Sequence, residues 1–256
     1  MSFARALAFQ RETLELAAEQ VIQIPEGWLI RTPSLPLVWS LNQVRVTRPI
    51  ETGDALALAE RHLGELPYRQ LLVEHEASGA QLEGELAQQG WRVDREVTMR
   101  LAHGPDREVD TSAVSDPPVE DALELMARWM REGSAHQPSA QEECELVQSW
   151  RLEWRARNAR LLGIRGRSGR LAAITMLYSD GLVAQVEDVY TVPEERGRGF
   201  ARALVTRALQ LAAEDRHELT FIVADDRDWP QRLYSRLGFE AVGRLWGFHR
   251  GQSPAR

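Results

Sequence analysis

The chain has 256 residues, 43% hydrophobic and 27% charged, with a formal net charge of -7 at neutral pH; it reads as a globular protein long enough for two domains of ordinary size. None of its 31 basic residues is lysine, which excludes a P-loop nucleotide site and a pyridoxal-phosphate Schiff base, since both need that side chain. The acidic balance argues against nucleic-acid binding, and no apolar run approaches the ~20 residues of a membrane-spanning helix.

In chain order, the first segment is predicted to open with a helix over about 3–20. Trp28-Leu29-Ile30-Arg31, a turn at Thr32-Pro33-Ser34 and a strand over 37–46 follow. Apolar spacing predicts a helix over 53–64, with Leu56, Ala59 and Leu63 on one face. Then come a buried strand at Leu71-Leu72-Val73, a helix over 77–89 and a closing strand over 91–101. The residues Ala102-His103-Gly104-Pro105-Asp106 have the turn composition of a linker.

The second segment is predicted to begin with a short strand over 108–114 and a helix running from Asp116-Pro117-Pro118 to about Arg131. Ser139, with Glu142 three residues on, is the start signal of a helix over 139–157. Strands over 160–165, 171–178 and 183–192 follow, the last two joined by the hairpin signal Ser179-Asp180-Gly181. A glycine-rich loop, a helix over 199–214, a strand over 219–223, a helix over 228–237 and final strands over 239–249 complete the chain. Cys144, the only cysteine, rules out an internal disulfide, suits a reducing cytoplasm and is read as a small buried hydrophobe. The start of the chain lacks the layout of a secretory signal, and the exclusive use of arginine suggests a GC-rich bacterial genome.

The two segments end alike. One finishes Leu86-Ala87-Gln88-Gln89-Gly90-Trp91 and the other Tyr234-Ser235-Arg236-Leu237-Gly238-Phe239, each followed by a strand. Glycine at a helix C-terminus supplies the left-handed residue wanted there. The repeat suggests two copies of one fold, over residues 1–104 and 105–256.

The chemistry concentrates in Val192-Pro193-Glu194-Glu195-Arg196-Gly197-Arg198-Gly199-Phe200-Ala201. Proline ends a strand, two glycines allow a tight turn, and the next helix has a stripe of Phe200, Leu204, Ala208 and Leu211. Its unpaired first-turn amides and positive dipole end suit an anion, and Arg196, Arg198 and Arg202 add charge. A dinucleotide fingerprint wants a small residue where Arg202 stands, and it usually sits near the start of a domain. This loop follows several strands, so that reading is set aside.

Arg196-x-x-Gly199-x-Ala201 resembles the pyrophosphate loop of the GNAT N-acetyltransferase superfamily. Leu233-Tyr234-Ser235-Arg236-Leu237-Gly238-Phe239 resembles that family's C-terminal signature. The resemblance implies an α/β (α+β) fold: a mixed, mostly antiparallel sheet flanked by helices, in two tandem copies of which the first is degenerate. It implies acetyl-CoA as co-substrate, bound near Val192 and by the amides of Arg196, Gly197, Arg198, Gly199, Phe200 and Ala201; no metal is expected, because the sequence has no His/Cys cluster with metal-ligand spacing. Tyr234 matches the family's tyrosine, placed to hydrogen-bond or protonate the departing sulfur. Glu187 stands where many members have an acid; strand alternation would put Asp188 on the opposite face, so only one of the two would reach the acceptor. Where relatives carry an asparagine that holds the pantetheine arm, this chain has Arg227, which would reach a CoA phosphate or pair with nearby aspartates.

The expected activity is transfer of an acetyl group to a primary amine, on a small molecule or a peptide; a catalytically silent acyl-CoA-binding regulatory module is the alternative. His136 in a predicted loop, and Trp129, Trp150 and Trp154 on the early helices, are candidates to border the acceptor cleft, with core packing as the alternative for the tryptophans. The first segment has no paired-glycine loop between 47 and 52, and Leu86 stands where Tyr234 stands in the second. It would serve as a scaffold, an acceptor-side wall or a dimerisation surface, which leaves a homodimer open.

Overall fold

The computed structural model describes residues 2–133 and 137–251; His136 lies outside them. The first half comprises α1 (Ser2–Ala17), β1 (Gln20–Ile24), β2 (Gly27–Arg31), β3 (Gln43–Val46), α2 (Thr52–Leu63), β4 (Tyr68–Val73), α3 (Glu76–Gln88) and β5 (Arg92–Leu101). The second comprises α4 (Val119–Gly133), α5 (Ala140–Ala156), β6 (Arg160–Arg165), β7 (Leu171–Ser179), β8 (Val183–Thr191), α6 (Phe200–Glu214), β9 (Leu219–Asp225), α7 (Pro230–Arg236) and β10 (Phe239–Gly251). No helix among the described residues is long and apolar enough to cross a membrane.

Local signals explain most of these boundaries. Ser139 and Glu142 form the expected reciprocal cap of α5: the Ser139 hydroxyl accepts from the Glu142 N–H (3.2 Å) and the Glu142 carboxylate accepts from the Ser139 N–H (2.6 Å). In the β7–β8 hairpin, the Asp180 carboxylate accepts from the N–H groups of Leu182 and Val183 (2.8 and 2.7 Å).

Several expectations are corrected. The strand predicted over 37–46 is confined to Gln43–Val46 and is preceded by a 3-10 turn at Trp39–Leu41. The buried Asn42 side chain accounts for this: it accepts from the Thr32 N–H (3.0 Å) and donates to the carbonyls of Leu35 and Val38 (both 2.9 Å), tying the segment into a loop. The first helix stops at Ala17, and β1 begins where it was predicted to continue. The short strand expected over 108–114 is replaced by an isolated bridge between Ser115 and Gly163. The final strands are one, with a bulge between Ala241 and Gly243. Cys144 is exposed.

The ten strands among the described residues join in one sheet, ordered β1-β2-β3-β4-β10-β5-β9-β8-β7-β6. The two halves repeat the same pairing: antiparallel up to β3 and β8, then parallel for β3–β4 and β8–β9. Their last strands are exchanged. β10 lies between β4 and β5 of the first half, and β5 pairs with β9 of the second.

Side-chain alternation gives the sheet two different faces. One packs on α6 and α7 through Ala184, Val186, Ile222, Val97 and Met99, and on α2 and α3 through Val44, Leu71, Val73, Trp246 and Phe248. The other is apolar at its β7 side, where Ile174, Met176 and Phe221 meet Phe9, Leu123 and Trp154 of α1, α4 and α5. Toward its centre the same face is polar, and a cavity opens there beneath α1 and α5.

Candidate active site

The loop after β8 is built to expose backbone. Gly197 and Gly199 have φ angles of +75° and +81°, conformations that strain any residue with a Cβ. A Cβ at either position would meet nothing within 4 Å. The α6 bond starting this helix runs from the Ala203 N–H to the Gly199 carbonyl (3.0 Å), and the amides ahead of it have no helical acceptor. Such a turn, with the positive end of a helix behind it, fits a pyrophosphate.

Three ion pairs fix the loop in place. The buried Glu195 accepts from the Arg167 N–H (2.9 Å) and from Arg198, which hold its carboxyl below the usual range. Glu194 takes both arms of Arg128 on α4 (2.9 and 2.8 Å). Arg202 turns inward onto Asp106 (2.6 Å). Of the three arginines expected to add charge, Arg198 and Arg202 are therefore already paired, and Arg196 donates to the Thr191 carbonyl (3.1 Å). Arg198 also lies over the Phe200 ring, 4.8 Å from its centre. The Val192 N–H donates to Ala172 (2.9 Å) and its carbonyl accepts from Glu195 (3.0 Å), so the backbone on offer is that of the loop and the first turn, through Ala201.

Beside the loop the parallel pair comes apart. Pairing of β8 with β9 ends at Val186–Ile222, while β9 continues along β5 as far as Asp225–Glu96. A bulge in β8 marks the parting: Glu187 faces Met176 and Tyr190 faces Ile174, so Asp188 and Val189 together oppose Thr175. Asp188 takes a φ of +53°, and the Thr175 hydroxyl donates to the Glu187 carbonyl (2.7 Å). An extra residue reverses the alternation that follows. Gln185 and Glu187 before the bulge, and Asp188 within it, consequently line the same cavity. The expectation that strand alternation puts the two acids on opposite faces is corrected on this ground.

The cavity has a volume of about 380 Å³. Trp150 and Glu153 of α5 and Gln10 of α1 hang over it, with Tyr178, Gln185, Glu187 and Asp188 below on one side. On the other side its floor is Gln43 and Arg45 of β3, Gln70 of β4, Asp94 and Glu96 of β5 and His249 of β10. Glu187 is pushed well above the usual carboxylate range by desolvation, then by the charges of Asp188, Glu96 and Glu153. Desolvation raises Asp188 to about 6, and desolvation with the Asp188 charge raises Glu153 to about 8. Gln185 donates to Glu187. Glu153 was not singled out from the sequence. Its signal is a polar stripe, Glu145, Ser149 and Glu153 at helical spacing, on a face where α5 turns inward; Glu145 and Ser149 are both buried.

Tyr234 lies on the α6 side of the sheet, buried against Phe239 with their ring centres 6.2 Å apart. Burial, followed by the charges of Glu187 and Asp188, raises its pKa, so the phenol keeps its proton. The Arg227 side chain pairs with Glu83 of α3, while its backbone N–H donates to the Asp225 carboxylate (2.8 Å). Trp129 stacks on Tyr190 (5.2 Å), and Trp154 is buried.

The first half shows what the site requires by lacking it. The Glu74 N–H donates to the Val46 carbonyl (2.9 Å), so the β3–β4 ladder continues where β8 and β9 separate. Ile50, Leu82 and Leu86 belong to the apolar core of this half, and residues 47–51, between β3 and α2, contain no glycine.

A split parallel pair, a left-handed glycine turn and a helix pointing its amino end at the gap define an acyltransferase fold of the GNAT type. Residues 122–239 match the model of the acetyltransferase (GNAT) family, whose members use acetyl-CoA. No curated protein matches the chain in sequence. Among solved structures, a functionally unknown conserved protein from Staphylococcus epidermidis is similar over 93% of this chain and 95% of its own, at 12% identity and a TM-score of 0.68. A GCN5-related N-acetyltransferase from Kribbella flavida is similar over 97% and 95%, at 16% identity and a TM-score of 0.62. A tandem GNAT protein from the clavulanic acid biosynthesis pathway is similar over 83% and 76%, at 18% identity and a TM-score of 0.52. At these identities the likeness is one of fold.

Proposed function

We propose that the protein transfers an acetyl group from acetyl-CoA to a primary amine by direct attack, with the amine held in the cavity beneath α1 and α5. The bulge at Asp188 carries this reading: it sets two carboxyl groups side by side in one cavity, just past the point where β8 parts from β9. Acetyl-CoA supplies the activated thioester. The amides of 197–201 would hold its pyrophosphate, and the gap between β8 and β9 would take its pantetheine arm.

The residues of the chain then manage protons. An amine arrives as an ammonium ion and must lose a proton before it can attack. A carboxylate whose pKa lies near neutrality takes that proton more readily than one at an ordinary value, and Glu187, Asp188 and Glu153 are all raised toward or past that range. Burial keeps the Tyr234 phenol protonated, so its Oη can donate to the departing sulfur.

Incubation with acetyl-CoA and a panel of amines, monitored by release of free thiol, tests the reading. Turnover supports it; tight CoA binding with no thiol released from any amine would support a silent binding module instead. A Gly199→Asp change sets a carboxylate against the phosphate cradle, and calorimetry should show CoA affinity falling by roughly tenfold or more. Unchanged affinity would overturn the loop assignment.

A further inference from the structure

The floor of the cavity crosses both halves of the chain, and its charges are unevenly matched. At the far side Arg45 is paired with Glu74 (2.7 Å), and Arg92 and His249 are both paired with Asp94 (3.4 and 2.7 Å). At the near side Glu153, Glu187 and Asp188 have no cationic partner among the described residues. An acceptor carrying a carboxylate would have to displace the existing pairs to find a guanidinium. One carrying ammonium groups meets carboxyl groups with no competing cation, and its charge favours their ionised form.

A second observation extends the polarity along the floor. Gln43 and Gln70 line the same cavity, are 4% and 7% exposed, and have side-chain oxygens that accept no hydrogen bond; the oxygen of Gln10 above them is in the same state. Buried acceptors left unpaired are costly, and a bound donor relieves them. These glutamines, with Glu96 of β5, lie toward the first half of the chain. β5 is two strand positions from β8, roughly 10 Å at ordinary strand spacing.

From these placements, and resting on the acetyl-transfer reading, we propose that the acceptor is a flexible aliphatic chain bearing two or more ammonium groups. The reacting nitrogen lies among Glu153, Glu187 and Asp188, and a second lies farther along the floor, by Glu96 and the glutamine amides. The first half of the chain thus takes part in substrate selection and forms the wall that recognises the remote group.

Calorimetric titration of the full chain with three compounds of one length tests this: hexamethylenediamine, hexylamine and ε-aminocaproate. The diamine is expected to bind about tenfold more tightly than hexylamine, the size of one charge-assisted contact in a partly desolvated site, and ε-aminocaproate no more tightly than hexylamine. A zwitterion that equals the diamine, a monoamine that equals it, no binding by any of the three, or a lysine-containing peptide that outcompetes it would each overturn the proposal. A Gln70→Leu variant is expected to reduce the diamine's advantage over hexylamine, with the melting temperature confirming that the variant folds. An unchanged ratio in this variant and in Gln43→Leu would remove the glutamines from recognition and overturn the proposed second site. Thiol release in the presence of acetyl-CoA is read separately. Selective diamine binding without thiol release would keep the acceptor class and sink the transfer reading; thiol release with other amines, and no preference for the diamine, would do the reverse.

Discussion

The repeated helix ends at Gly90 and Gly238 allow a controlled test of backbone packing. Both glycines are left-handed, with φ angles of +80° and +99°. A Cβ at Gly90 would meet nothing within 4 Å, whereas at Gly238 it would lie 2.0 Å from the His103 carbonyl oxygen and 2.8 Å from its carbon. The contact is with backbone, held there by hydrogen bonds from the Ala102 and His103 N–H groups to the Gly238 carbonyl (2.9 and 3.3 Å). Gly90→Ala should therefore show the dihedral strain alone, about 1–2 kcal/mol, partly offset by the stiffer unfolded chain. Gly238→Ala adds an overpacking term of about 1–3 kcal/mol, for a total of roughly 2–5 kcal/mol. Urea unfolding followed by circular dichroism would measure both. Equal losses at the two sites would refute the claim that the linker is locked against Gly238.

Three further outcomes are expected. Glu74→Ala strands the buried Arg45 guanidinium, whose side chain is 2% exposed, and should cost about 3 kcal/mol in denaturant unfolding; replacing both partners by apolar residues should recover most of the loss, and failure to do so would show that the pair is not the source. The pKa of Glu153 is raised from 4.5 to about 8 in the fold, so the stability it contributes is present below its unfolded value and disappears as the pH rises through about 8; thermal midpoints should fall less steeply between acid and alkaline pH in Glu153→Gln than in the native chain, and parallel profiles would contradict the shift. Tyr234→Phe should lower kcat by roughly tenfold or more without weakening CoA binding, and full turnover would remove the phenol from the chemistry.

Much of this was legible in the sequence, for identifiable reasons. The glycine turn and α6 were readable because positive φ and helix periodicity both leave local residue signals. The recurrence of Gly90-Trp91 and Gly238-Phe239 pointed to a topological repeat for the same reason. The shared orientation of Glu187 and Asp188 was not readable, because a bulge depends on which residue of β7 lies opposite and alternation alone predicts the reverse. Glu153 escaped notice because a helix surface acquires its meaning from what packs over it; only the polar stripe with Glu145 and Ser149 hinted that an inward face was hydrophilic. The exchange of β5 and β10 has no local signature at all, since pairing partners far apart in the chain are chosen by the whole sheet.

That exchange also sets an order of events during synthesis. When β4 and β5 have left the ribosome, the strand that must lie between them, β10, is still some 140 codons from being made, and at ~5–20 residues per second this is an interval of roughly 7–30 s. Throughout it β4 has an open flank, the kind of edge that recruits other chains. The last strand to be translated is thus the one that closes the middle of the sheet, and any interruption late in synthesis would leave an early-made half with its centre missing.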